Sequence, residues 1–272
     1  SSAASDVYKR QIVQRNYGGF MMKKITLIIV TSCFLSLGFG DNHFPNAFTM
    51  EALQCKFTQG NDMDDAKRVI AQWNDNADKN FSAPYNAWVL TPLYTSTEDV
   101  DFDFAWIGFT ENAASMGRVQ DEWAATGAET IGAKWGRVTD CAGQALYGVI
   151  EARAPKTTFV EGQVGYLSVS NCSFKDGKTG LDLAESDKAW NAYNDANGFE
   201  GGVWRWWPGA GSPTSYEGDF LLAIGYSSME EYGRGRDNNL AAMRAGTRPE
   251  SILNCDAPRI YTSENVRLES PE

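Results

Sequence analysis

The sequence predicts an α+β protein whose main part is two copies of one βαββαβ unit. Three observations lead to this prediction. The chain repeats itself, with Cys55 and Cys172 in equivalent positions 117 residues apart. Each copy begins and ends with a cysteine, and the apolar residues of both copies follow strand and helix periods in the same order.

The internal repeat is clearest near the start of each copy. Setting Cys55 against Cys172 aligns further identical residues, namely Phe57 with Phe174, Gly60 with Gly177 and Trp73-Asn74 with Trp190-Asn191. After a slip of one residue the matches are Pro92 with Pro208, Asp103-Phe104 with Asp219-Phe220 and Gly117-Arg118 with Gly233-Arg234. Ile107-Gly108-Phe109 matches Ile224-Gly225-Tyr226 at the original offset, and Cys141 matches Cys255 after a shift of three residues. So many matches at nearly the same offset indicate a duplication.

The first copy shows the order of its elements. Leu53 to Phe57 alternates as a strand does, and Gly60 breaks it. Asp64 to Asp78 is predicted to be a helix, because one helical face carries Ala66, Val69, Ile70, Trp73 and Ala77. The remaining predicted elements are the strands Tyr85 to Leu93 and Phe102 to Phe109, a helix from Ala113 to Trp123, and a strand from Ala145 to Glu151.

The second copy fills the same positions. Its predicted elements are Asn171 to Phe174, Leu183 to Asn194, Gly202 to Trp207, Phe220 to Tyr226, Met229 to Met243 and Arg259 to Val266. This order of elements is the ferredoxin-like arrangement. Ala154-Pro155-Lys156 is the predicted junction, so that repeat 1 covers residues 41–154 and repeat 2 covers residues 155–272.

Two ferredoxin-like units in one chain resemble the dimeric α/β-barrel superfamily, in which two four-stranded sheets face each other around a shared cavity. The superfamily includes cofactor-free monooxygenases of antibiotic biosynthesis and stress-responsive barrel proteins. The resemblance rests on element order and duplication, and it implies an intramolecular α/β-barrel for nearly all of the mature chain. The sequence contains no catalytic signature of the superfamily, and a fold shared by many activities does not assign one.

The N-terminal residues are expected to lie outside the mature protein. Residues 1–11 resemble a translated sequencing-library adapter, and residues 12–20 are interpreted as read-through from untranslated DNA, so residues 1–20 are treated as an artefact. Residues 21–40 have the pattern of a signal peptide, with Lys23 and Lys24 followed by an apolar run. We therefore expect a periplasmic or secreted protein without a transmembrane span in its mature form. An alternative cut would make it a lipoprotein anchored at Cys33.

Charge and composition exclude several classes of function. The whole chain has a net charge of −11. Without residues 1–40, 19 basic residues remain against 34 acidic ones, a net charge of −15. We expect no nucleic-acid partner, because such a chain repels phosphate backbones. The single histidine, His43, rules out a His-based triad or a His-rich zinc site and leaves the superfamily's His-assisted oxygenation and haem chemistries without imidazoles. We expect no metal and no cofactor.

The four cysteines after Cys33 indicate disulfides in an exported chain. A duplicated unit that keeps its own bridge predicts Cys55 with Cys141 and Cys172 with Cys255. The symmetric cross-repeat pairing, Cys55 with Cys172 and Cys141 with Cys255, is the alternative. A monomeric pseudo-dimer is the expected assembly.

Tryptophans and their neighbours are the candidate ligand-binding residues. Trp73-Asn74 and Trp190-Asn191 are interpreted either as core anchors with solvated neighbours or as the walls and directional contacts of a cavity. On a strand, Trp204 and Trp206 point to one face, while Arg205 and Trp207 point to the other. Such residues suit core packing as well as stacking on planar ligands.

Arg118 and Arg234 are the candidate charged contacts. Each is followed by an aspartate three residues later on a predicted helix, which is typical of a surface ion pair. The alternative is that they bind an anion.

Three functions remain open at this level. The first is binding of a small apolar or aromatic molecule in a cavity between the two repeats. The second is cofactor-independent enzymology in the same cavity, such as oxygenation or isomerisation, with Asn74 or Asn191 orienting the substrate and an acidic residue acting as base. The third is a protein-interaction module. A carboxyl group with a raised pKa inside the cavity favours the enzyme, and exposed indoles on an outer surface favour the third.

Overall fold

The computed structural model describes residues 46–269. The predicted artefact, the signal peptide, Cys33 and His43 all lie outside these residues. The described elements in chain order are β1 (Ala47–Phe57), α1 (Met63–Asn80), β2 (Asn86–Tyr94), β3 (Phe104–Thr110), α2 (Ala113–Thr126), a π-helical turn (Ala128–Gly132), α3 (Ala133–Val138), β4 (Thr139–Arg153), β5 (Val164–Phe174), a 3₁₀ turn (Gly180–Asp182), α4 (Leu183–Ala196), β6 (Val203–Pro208), β7 (Phe220–Tyr226), α5 (Met229–Ala245), β8 (Leu253–Cys255) and β9 (Arg259–Arg267).

The tandem ferredoxin-like fold is confirmed. The strands of the first repeat lie in the order β4-β1-β3-β2, and those of the second lie in the equivalent order β9-β5-β7-β6. β2 pairs with β9 and β4 pairs with β6, so the two sheets join at both edges into a closed eight-stranded barrel. Closure removes the free sheet edges that the two halves would otherwise expose.

Local sequence explains why α1 begins where it does. The Asp62 side chain accepts hydrogen bonds from the backbone N–H groups of Asp64 and Asp65, and the Asp65 side chain accepts one from the N–H of Asp62. This reciprocal capping satisfies donors that the first helical turn leaves free. Ala66 and Ile70 on the predicted apolar face are buried against the sheet, and Trp73 is half-buried.

The predicted disulfides within each repeat are confirmed. Cys55 and Cys141 lie opposite each other on β1 and β4, with 3.9 Å between their Cα atoms. Cys172 and Cys255 pair across β5 and β8, with 4.1 Å between theirs. The cross-repeat pairing was wrong, because the register of each repeat brings its own two cysteines together.

The two faces of the barrel wall carry different apolar clusters. Side chains that point into the barrel include Met50, Ile107, Val149, Trp206 and Tyr261, with Trp204 packed against them. Side chains that point outward meet the helices, and in the first repeat they include Cys55, Tyr85, Phe104 and Trp106. The space between the two sheets is therefore occupied by packed side chains.

The structural register corrects one part of the sequence alignment. Glu51 pairs with Gly108 on β3, whereas its counterpart Ser168 pairs with Ile224 on β7. Ile107-Gly108-Phe109 is therefore equivalent to residues 223–225, one residue earlier than the sequence matching suggested. The identical Ile-Gly pair misled the alignment, because the face a residue occupies depends on strand pairing.

Within residues 46–269, no helix has the length and hydropathy that a membrane crossing requires.

Candidate functional site

The first repeat contains a cavity of about 160 Å³ between its helices and the outward face of the sheet. Its walls come from β1, β3, β4, α1, the connection between α1 and β2, α2, the π-helical turn and α3. The lining residues are mainly aromatic and aliphatic, with three polar groups, namely Glu51, Gln120 and Gln144. An apolar concavity with a few placed polar groups is the usual form of a small-molecule site.

Strand alternation places Glu51 in this wall. Leu53 and Cys55 follow it on the same outward face of β1, and Met50 on the opposite face points into the barrel. Glu51 is only 5% exposed. The acidic side chain of Glu51 thus lies among apolar side chains on the outward face of β1.

Gly108 makes room for the partner of Glu51. A Cβ atom at Gly108 would lie 1.6 Å from the hydroxyl oxygen of Tyr85. Because Gly108 is directly opposite Glu51 on β3, the missing side chain leaves space in which the Tyr85 hydroxyl reaches the Glu51 carboxylate. No residue with a side chain fits this position while Tyr85 stays where it is.

Three donors converge on the Glu51 carboxylate. The Tyr85 hydroxyl donates to Oε1, and the Gln120 side-chain amide donates to Oε2 at 2.8 Å. The Gln144 side-chain amide also donates to Oε2. The Trp106 indole N–H donates to the Tyr85 oxygen at 2.9 Å, which directs the Tyr85 proton toward Glu51.

Burial and hydrogen bonding act in opposite directions on Glu51. Burial raises the pKa of its carboxyl group above the ordinary value, and the hydrogen bonds from Tyr85, Gln144 and Gln120 limit that rise. Burial and the nearby Glu51 charge raise the pKa of Tyr85 well above its usual value, so Tyr85 stays a neutral donor. The carboxyl is the group in this cavity that is suited to exchange a proton.

Aromatic rings form most of the remaining wall. The Trp73 ring lies 5.0 Å from Trp106 and 5.2 Å from Tyr85, measured between centroids. Trp123 folds over Gly127, where a Cβ atom would lie 2.1 Å from the indole. Gly127 accepts a hydrogen bond from Gly132 across the π-helical turn, a type of distortion that is frequent at functional sites.

The second repeat does not reproduce this constellation. By strand register, Ser168 stands where repeat 1 has Glu51, Leu222 where it has Trp106, and Ile224 where it has Gly108. In this repeat the helix-facing layer contains a buried ion pair instead, in which the Arg205 guanidinium donates to both carboxylate oxygens of Asp187. The combination of Glu51, Trp106 and Gly108 is thus found in the first repeat and not at the equivalent positions of the second.

In the structure, the Trp and the Asn of the predicted pair Trp73-Asn74 have different surroundings. Trp73 lines the cavity, whereas the Asn74 amide donates to the carbonyl of Val266 on β9 at 2.8 Å. Asn191 makes the equivalent bond to the carbonyl of Ala152 on β4 at 3.0 Å. Both amides therefore join the first helix of one repeat to the last strand of the other.

Trp190, Asn191 and the remaining predicted residues lie away from this cavity. Trp190 packs on Tyr193, with the Arg248 guanidinium over its ring. Asn191 borders an open polar cleft of about 510 Å³ beside α4. Trp204 and Trp206 belong to the barrel interior, and Arg118 and Arg234 are exposed on their helices. A ligand-binding role for these residues stays a prediction.

Metal and haem do not fit the described site. Within residues 46–269, no group of three or more His, Cys, Asp or Glu side chains is arranged to hold a metal ion. Haem bound through imidazole has no histidine here, since His43 precedes residue 46, and a cavity of about 160 Å³ is too small for a porphyrin.

Sequence reasoning missed Glu51, Tyr85, Gln120 and Gln144. The predicted first strand began at Leu53, so Glu51 lay outside it. The signal was present, because a period of two places Glu51 on the same face as Leu53 and Cys55. The two glutamines come from elements far apart in sequence, and only the folded chain brings them together.

No family model and no curated protein matches the chain. Solved structures do match. A candidate monooxygenase from Fusobacterium nucleatum subsp. nucleatum is 8% identical, with a TM-score of 0.48, and the match covers 82% of this chain and 94% of that one. An anthrone oxidase-like protein is 11% identical, with a TM-score of 0.42 and coverage of 81% and 94%.

A variant of chlorite dismutase from Candidatus Nitrospira defluvii is 8% identical, with a TM-score of 0.46 and coverage of 80% and 92%. At identities and TM-scores this low, the similarity carries no argument about what this chain does. The site must be judged on its own chemistry.

Proposed function

We propose that this chain is a cofactor-independent enzyme that binds a small, largely apolar molecule in the cavity of its first repeat and removes a proton from it with Glu51. The observation that carries the proposal is a buried carboxyl group, with its pKa raised by burial, in the wall of an aromatic cavity. A carboxyl with these properties is the feature that distinguishes an enzyme from a simple binding protein.

Hydrogen-bond capacity identifies the oxygen that takes the proton. Each carboxylate oxygen has two lone pairs. Oε2 accepts from both Gln120 and Gln144, whereas Oε1 accepts from Tyr85 alone. Oε1 therefore keeps one lone pair for the substrate. Tyr85, held by Trp106, orients this oxygen and stabilises the ionised form between turnovers.

The chemistry open to such a base is limited to substrates with an acidic C–H or O–H group. Removing that proton leaves a carbanion or phenolate beside the aromatic walls of the cavity. Returning the proton to another carbon is an isomerisation, and reaction of the anion with dioxygen is an oxygenation. Both follow from the same first step.

The other functions find less support in the described residues. All nine tryptophans of the chain lie within residues 46–269 and none of them is exposed, so the outward indole patch expected of an interaction module is missing there. Simple ligand binding between the sheets has less support, because large apolar side chains such as Trp206 and Tyr261 pack together there.

Proton exchange tests the proposal without knowledge of the substrate. 2-Indanone carries acidic C–H groups beside one aromatic ring, and their exchange in D₂O is followed by NMR. We expect the protein to accelerate the exchange and Glu51→Gln to lower the acceleration about 10²-fold or more. Glu98→Gln, at an exposed carboxyl, serves as the control. Equal exchange by wild type and Glu51→Gln refutes the assigned base.

A further inference from the structure

Among residues 46–269, the Glu51 carboxylate has hydrogen-bond donors but no ion-pair partner. The Arg267 guanidinium lies over the ring of Trp73, and its own ion pairs are with Asp78 and Glu269. None of the residues that line its cavity is Lys, Arg or His. Its three partners are a hydroxyl and two amides, which supply dipoles and no net positive charge. A buried charge without an opposite charge is costly, and buried charges are therefore usually paired.

Buried carboxylates of the second repeat are stabilised in two ways. Asp187, in the helix-facing layer, is paired with Arg205, and the guanidinium donates to both carboxylate oxygens. Glu231 accepts hydrogen bonds from the Ser227 hydroxyl and from the N–H groups of Ser227 and Glu200. Glu51 is similarly buried but, unlike Asp187, has no ion pair with a described residue, and unlike Glu231 it lies in the wall of an aromatic cavity.

The walls around Glu51 are suited to a cation that comes from outside. Six aromatic side chains line the cavity, namely Trp73, Phe81, Tyr85, Trp106, Trp123 and Trp135. Aromatic faces attract cations, tryptophan most strongly, and the attraction grows when water is excluded. The net charge of −11 also draws cations toward the protein.

We infer that the molecule taken up by this cavity carries a positively charged nitrogen, as a small alkylammonium or quaternary ammonium group that the aromatic walls and Glu51 recognise together. The inference rests on the proposed function and names its substrate class. A cavity of about 160 Å³ is similar to the roughly 150 Å³ that accommodates a benzene ring, so the head group has about that size. A cationic nitrogen beside the carbon that loses its proton also stabilises the resulting carbanion.

A pair of nearly isosteric probes tests the charge. Choline and 3,3-dimethylbutan-1-ol have almost the same shape, and only choline is charged. Binding of each is measured by calorimetry and by the change in tryptophan fluorescence. We expect choline to bind at least tenfold more tightly than the neutral alcohol. Glu51→Gln should abolish that preference, whereas Glu98→Gln, which removes the same charge from an exposed position, should leave it intact.

The possible outcomes distinguish the cationic substrate from the proposed role of Glu51 as a base. Equal binding of both probes, or a preference that survives in Glu51→Gln, overturns the cationic substrate and leaves the proposed base in place. Absence of binding by either probe also overturns the inference, and exchange of 2-indanone then reports separately on Glu51 as a base. The preference for choline, lost only in Glu51→Gln, supports both.

Discussion

Gly108→Ala tests whether the position of Tyr85 holds the site together. The added methyl group would lie 1.6 Å from the Tyr85 hydroxyl and 2.1 Å from the adjacent ring carbon, so the ring must move. Two hydrogen bonds are then lost, from Tyr85 to Glu51 and from Trp106 to Tyr85. A bond to a charged group contributes about 1.5–3 kcal/mol and a neutral one about 0.5–1.5 kcal/mol.

We therefore expect Gly108→Ala to lower the free energy of unfolding by roughly 2–4.5 kcal/mol. The assay is urea unfolding followed by tryptophan fluorescence, with the midpoint shifted at an unchanged slope. Gly148→Ala is the matched control, because Gly148 lies in β4 and a Cβ atom there meets nothing within 4 Å. It should change stability by no more than about 1 kcal/mol.

A double variant sharpens the test. Tyr85→Phe removes the same two hydrogen bonds without pushing the ring aside, so the losses in Gly108→Ala and Tyr85→Phe overlap. Combining them should cost clearly less than the sum of the single changes. Additive losses, or a Gly108→Ala protein as stable as the wild type, would refute the reasoning.

Three further predictions follow from the same contacts. Burial raises the pKa of Glu51 above its ordinary value of 4.5. The protonated carboxyl therefore stabilises the fold below pH 4.5, and this stabilisation is lost as the pH rises through the pKa of the folded state. Glu51→Gln should remove this pH dependence from the free energy of unfolding, measured with urea across pH. Arg267 and Arg153 occupy equivalent positions, but only Arg267 lies over the cavity residue Trp73. Arg267→Met and Arg153→Met should therefore lower the free energy of unfolding by similar amounts. Only Arg267→Met should slow the exchange of 2-indanone. Replacing Cys55 and Cys141 by alanine should cost about 4–5 kcal/mol in thermal or urea unfolding, because the bridge closes a loop of 86 residues.

The sequence was sufficient to predict the fold because its signals are local and occur twice. The apolar face that includes Val69 and Ile70 defined α1, and the repeat of Cys55 at Cys172 defined the duplication. Phe220 to Tyr226 was predicted with the bounds that the structure has. These patterns can be read from short stretches of sequence, because the helical and strand periods do not depend on distant residues.

The site could not be predicted in the same way, because it depends on relations across strands. Glu51 acquires its partner only because Gly108 is opposite it, and a shift of one residue in pairing would place a side chain there. Trp206 and Tyr261 pack with other side chains inside the barrel, and the ligand cavity expected between the sheets stays a prediction. For Asn74 the sequence left open a structural role or a ligand contact, and only the folded chain shows that its amide N–H bonds to the backbone of β9.

The unequal halves of this barrel lead us to expect one ligand site per chain. Two identical subunits would present two equal sites, and occupation of one could alter the other. Here the described residues contain a single buried acid in an aromatic cavity, and the second half contributes β9, whose backbone holds Asn74 and whose Arg267 lies over Trp73. One molecule should bind per chain, with a hyperbolic saturation curve and no homotropic cooperativity, while the second repeat acts as a permanent scaffold for the first.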